Sequence, residues 1–155
     1  MTKKAGFNAE EWSVVVGAPL LAAMLVISAD KGGSVRETVA VARAYAEAKQ
    51  SHDGELMSAL LSEPAGKQIT SKRRSREEVA AEALATLRQA IAILERVATE
   101  DEVVEYKRFV YSLGETAAQA HKEGGFLGIG GTPVSEAEQA ALDEIAAIFD
   151  ERPGA

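Results

Sequence analysis

Trp12-Ser13-Val14-Val15-Val16-Gly17-Ala18-Pro19-Leu20-Leu21-Ala22-Ala23-Met24-Leu25-Val26-Ile27-Ser28-Ala29 carries no charged residue. Its length touches the lower limit for a membrane span, roughly 17–25 apolar residues. Ser13, Gly17, Pro19 and Ser28 interrupt it, and Asp30 and Lys31 follow at once. Lys3 and Lys4 precede it as in a secretory leader, but Glu10 and Glu11 break the basic-then-apolar order. Val26-Ile27-Ser28 is also a poor cleavage site. The reading is therefore a helix apolar on most faces, and such a helix belongs at the centre of a bundle. Asn8 with Glu11 forms its start signal. Pro19 removes one backbone donor, so a kink or break near Gly17-Ala18 is expected.

From that helix outward the apolar periodicity is helical, with no alternating strand of useful length. A second helix is expected over about 35–49, with Val35, Val39, Ala42 and Ala46 on its apolar stripe. Asp53 is a candidate cap for a short helix over 55–62. Residues 63–75 read as an internal linker, since they hold Pro64, Gly66 and the basic cluster. Ser75 and Glu78 then open a long helix whose seam is Val79, Ala83, Leu87, Ala90, Leu94 and Val97. Thr99 and Glu102 open the next, with Val103, Tyr106, Val110, Leu113, Ala117 and Ala120 inward. A last helix over about 136–150 turns Leu142, Ile145, Ile148 and Phe149 inward, and 151–155 reads as a frayed tail. The expectation is all-α: a single-domain bundle of about six helices over residues 1–150. A turn written twice suggests two pseudo-repeated helical halves. Ala29-Asp30-Lys31-Gly32-Gly33 leads into Ser34-x-x-Glu37, and Ala120 to Gly125 leads, after an insertion, into Ser135-x-x-Glu138.

Composition narrows the function classes. The chain has 155 residues, a net charge of −7, 46% apolar and 5% aromatic residues, and no cysteine. The missing thiol excludes disulfides, thiolate metal sites and a cysteine nucleophile, and fits a cytoplasmic location. The negative charge argues against nonspecific nucleic-acid binding. Lys72, Arg73 and Arg74 form the local exception, read as a solvated linker or as a docking patch for an acidic partner or lipid headgroups. His52 and His121 are the only histidines. Neither has a nucleophile and an orienting acid at a spacing that names a reaction. The loop Gly124-Gly125-Phe126-Leu127-Gly128-Ile129-Gly130-Gly131 follows a helix rather than a strand, so it fails the dinucleotide fingerprint. Phe126, Leu127 and Ile129 are instead read as a plug over the bundle end or as an exposed docking element.

The turn motifs, Ile27 to Glu37 and Ala120 to Glu138, resemble the tellurite-resistance TerB-like helical family over about 30 residues of the 155. Arg36 and Ala137 stand where that family tends to place acids, and the insertion 126–134 is foreign to it. The resemblance implies an all-helical cytoplasmic domain and acidic divalent-cation sites at the turns, here Asp30, Glu37 and Glu138. It also implies a role in stress-response or membrane-associated complexes. The Phe-Leu-Gly loop is similar to that of small uncharacterised bacterial helical proteins, which carry no activity over. The functional expectation is a non-enzymatic scaffold or interaction protein without a cofactor, docking a protein partner or a second copy through 124–134. The alternatives are a TerB-like metal-binding protein and a small enzyme with an acid/base pair not identifiable from sequence. Nucleic acid is excluded as a partner, and membrane-surface contact is not favoured.

Overall fold

A computed structural model of the chain describes residues 4–29, 35–51, 54–63, 75–123 and 136–150. Among these residues there are a short 3₁₀ turn, Lys4–Gly6, and six α-helices, with no strand. The helices are α1 (Ala9–Ala29), α2 (Val35–Ser51), α3 (Glu55–Ser62), α4 (Arg76–Val97), α5 (Glu100–Glu123) and α6 (Glu136–Asp150). The protein is an all-α bundle.

Three helix starts are fixed by reciprocal capping boxes. Asn8 Oδ1 accepts from the Glu11 amide at 2.8 Å, and the Asn8 amide donates to Glu11 Oε2 at 3.2 Å. Ser75 with Glu78 opens α4, at 3.2 and 3.3 Å. Thr99 with Glu102 opens α5, at 3.2 and 3.1 Å. Each pair satisfies two donors that a helix terminus otherwise leaves open. The short helix α3 departs from expectation. Its N-cap is Gly54 rather than Asp53, and no side chain caps it.

Helix α1 is the axis of the bundle. It packs most extensively on α4, then on α5, and also touches α6, α2 and α3. Val15, Ala18, Ala22, Ala23, Leu25 and Val26 are buried along it. By length and a mean hydropathy of 2.1 it matches a membrane span. Its burial identifies it as the core helix of this bundle, because neighbours surround several of its faces. The seams expected on α4 and α5 pack against it: Ala83, Leu87, Ala90 and Leu94 from one side, Val103, Tyr106, Val110, Leu113 and Ala117 from the other. Leu142, Ile145 and Ile148 of α6 are buried as well, with Phe149 packed beside them. Lys107 Nζ donates to the Phe149 carbonyl at 3.1 Å, placing a cation at the negative end of α6.

Pro19 does not break α1, which is continuous from Ala9 to Ala29. Proline has no amide hydrogen to give the carbonyl four residues earlier, which belongs to Val15. That carbonyl is instead taken by the Tyr106 hydroxyl of α5, at 2.7 Å in a buried setting. The acceptor freed by the proline thus becomes the polar tie between α1 and α5.

Two further contacts set the packing. A Cβ built at Gly114 of α5 would stand 2.9 Å from Leu142 Cδ2 and 3.3 Å from Val26 Cγ2, so α5 closes on α1 and α6 only because that side chain is missing. At the N-terminal end, Glu63 Oε1 receives Lys4 Nζ at 2.5 Å and the Trp12 indole N–H at 3.1 Å. Phe7 stacks at a tilt on Trp12, with ring centres 5.3 Å apart. Arg96 of α4 pairs with Glu11 of α1. The Asn8 amide first, and then Arg96, hold the Glu11 carboxyl below its ordinary 4.5.

Replacing Tyr106 by Phe strands a buried carbonyl, so urea denaturation should show a loss of about 1–3 kcal/mol. In a Pro19→Ala background the new amide at 19 reaches Val15, and the same replacement should cost measurably less. Gly114→Val should destabilise by about 1–3 kcal/mol through overpacking.

Candidate functional site

The described residues hold few of the side chains singled out from the sequence. Lys72, Arg73, Arg74, Phe126, Leu127, Ile129 and Asp30 lie outside them, as do His52 and Asp53. Glu37 and His121 are placed only as backbone positions of α2 and α5, their side chains being outside the described set. Glu138 is described. It sits in the first turn of α6 and is 1% exposed, which sets it apart from the other acids of that helix. Among the described residues no group of three or more His, Asp or Glu side chains is placed to hold a metal ion.

Helix α2 differs most from its sequence reading. The stripe expected to face inward is Val35, Val39, Ala42 and Ala46. Val39 is 49% exposed, and Ala42 and Ala46 are exposed beside it. The inward face is made by Val41, which is buried, and by Ala44, Tyr45 and Ala48, which pack partly buried against the core. Both stripes have helical spacing, so periodicity cannot rank them. Size does. Val41 and Tyr45 bury more apolar surface than Val39 and Ala46, and burial scales with that surface. The signal was the aromatic ring of Tyr45, which the small-residue stripe lacks.

Tyr45 seats α2 on α5. Its ring meets Phe109 edge-on, with ring centres 5.3 Å apart. Its hydroxyl is buried and has no hydrogen-bond partner, and one carboxylate oxygen of Glu55 is in the same condition. Burial raises the Tyr45 phenol well above its usual range. Tyr106 is raised by its own complete burial and, secondarily, by Tyr45.

Among the described residues, open grooves follow the flank of α5. The larger, about 600 Å³, is lined by Asp101, Val104, Glu105, Arg108, Phe109 and Ser112, with Val104 45% exposed. The start of α3 borders it, since a Cβ at Gly54 would lie 3.6 Å from Glu105 Oε2. The smaller, about 200 Å³, lies between α2 and α5. Ala40, Ala44 and Ala120 floor it, and Arg43, Glu47, Thr116 and Gln119 form its rim. Neither groove brings a nucleophile, a base and an orienting acid together. Thr116 Oγ1 is bonded to the Ser112 carbonyl at 2.8 Å, and Ser112 Oγ to the Phe109 carbonyl at 2.8 Å, so both hydroxyls serve the helix backbone. Compared with protein-family models, with curated proteins and with solved structures, the chain matches none of them.

The two tyrosines make opposite predictions. Tyr45→Phe removes an unpaired buried hydroxyl and should leave stability unchanged or raise it by up to about 1–2 kcal/mol, in contrast with Tyr106→Phe. Both phenols stay neutral in the fold beyond the usual value of 10.0, whereas in the unfolded chain they ionise near it. Stability contributed below that pH is therefore lost as pH rises past it. Denaturation followed from neutral to alkaline pH should show this decline, and it should be shallower in the Tyr45→Phe variant.

Proposed function

We propose that this chain is a non-enzymatic helical interaction module that docks another polypeptide on the outward face of α2. One observation carries the reading: α2 bears two apolar stripes, and the tertiary fold uses only one. Val41 and Tyr45 turn to the core, which leaves Val39, Ala42 and Ala46 on the opposite side. A single exposed valine is ordinary on a protein surface. Three apolar positions recurring over two turns of one helix form a seam, and a seam is what a partner helix packs against. A second docking element is read from the sequence at 124–134, where Phe126, Leu127 and Ile129 either dock a partner or plug the bundle end.

Photo-crosslinking tests the reading directly. A benzophenone amino acid replacing Val39 should give a discrete adduct in cells that express the protein, whereas one replacing Glu95, exposed on α4, should not. Equal, diffuse labelling from both positions would remove α2 as the docking face. Substituting Phe126 and Leu127 by Ser should leave the melting temperature nearly unchanged while lowering recovery of the partner. A large drop in melting temperature would instead assign those residues to the bundle interior.

A further inference from the structure

We infer that the occupant of the α2 face is a second copy of this chain, packed antiparallel across a twofold axis; the inference rests on the docking reading above. The argument comes from the charges that flank the seam. Arg43 and Glu47 lie one turn apart on the same side of it, both exposed, on the rim of the smaller groove. Among the described residues neither has an ionic partner. Opposite charges at this spacing on one flank are self-complementary. In an antiparallel pair the same flanks of the two helices face each other. A twofold axis at the level of Tyr45 therefore lays Arg43 against Glu47 of the second copy, and Glu47 against its Arg43. A closed twofold interface requires this exchange, in which residue i meets j while j meets i. An unrelated partner would have to supply the complementary pattern by coincidence.

The apolar residues fit the same axis. Ala42 and Ala46 straddle it and have no side chain beyond Cβ, so the two backbones approach closely, and helix separation is set by the side chains at the contact. Val39 lies toward the far end of α2 from Ser51. With the axis at the level of Tyr45, the antiparallel copy brings its Ser51 level with that position, at the negative C-terminal end of its α2. Helix α2 has 17 residues. At 1.5 Å per residue it is about 25 Å long, and one such helix pair buries an area near the lower limit of specific interfaces, roughly 1,000 Å². The dimer is accordingly weak and concentration-dependent.

Sedimentation equilibrium of the full chain from low micromolar to millimolar concentration reads the association. The wild type should shift from monomer to dimer across that range. Val39→Glu should abolish the shift. Arg43→Glu sets like charges face to face in both halves of the interface and should weaken association by about tenfold or more. Arg43→Glu combined with Glu47→Arg should restore it to within about threefold of wild type. Circular dichroism confirms the fold of each variant, all changes being at exposed positions. A wild type that stays monomeric throughout overturns the inference, as does dimerisation indifferent to Val39→Glu. A double variant that fails to recover overturns the antiparallel pairing. A crosslinked adduct from position 39 containing a different chain removes the second copy as occupant while leaving the docking reading in place.

Discussion

The bundle depends on one carbonyl. Pro19 stands in the middle of the most buried helix and denies the Val15 carbonyl its helical donor. Leaving that oxygen unpaired in the core would cost on the order of 1–3 kcal/mol. The Tyr106 hydroxyl supplies the donor from α5, at 2.7 Å. The rotational setting of α5 follows, because Tyr106 can reach only if its own seam faces α1. Val103, Val110, Leu113 and Ala117 then point the same way, and Gly114 lets the helices close. A local defect in one helix has become the register mark for another.

The other inward tyrosine sets α2 by a different rule. Tyr45 is held by the surface it buries and by its edge contact with Phe109, and its hydroxyl gains nothing from the site. The ring decides which of two apolar stripes turns inward. Its counterpart, Val39 with Ala42 and Ala46, is left on the surface as a consequence. The unused stripe and the exposed charges Arg43 and Glu47 beside it are one feature of α2, and the docking proposal and its twofold form both grow from it.

Much of the fold was legible because it rests on short-range rules. The pairs Asn8 with Glu11, Ser75 with Glu78 and Thr99 with Glu102 could be read as helix starts, since each requires only residues three apart. The seams of α4, α5 and α6 were legible because each helix has one apolar stripe and one polar face. The stripe of α2 was misread because that helix has two, of which alanine makes up much. Pro19 was read as a kink or break because its consequence was judged within α1 alone, and the compensating donor lies 91 residues from Val15. The span of α3 was read as 55–62 and is found there, but its cap was assigned to Asp53 on residue type, whereas the N-cap is Gly54. Of the candidate site residues, only Glu138 could be located as a side chain, and its burial was not visible in its sequence neighbours.

By itself the sequence determined that the chain is helical, where most helices begin and end, and that residues 12–29 form the core axis. Those properties follow from periodicity, capping and total hydrophobicity, which are local sums. Only the tertiary structure decided which face of α2 is buried and which group satisfies Val15. Those outcomes depend on competition between surfaces distant in sequence, where the larger buried area and the nearer donor prevail.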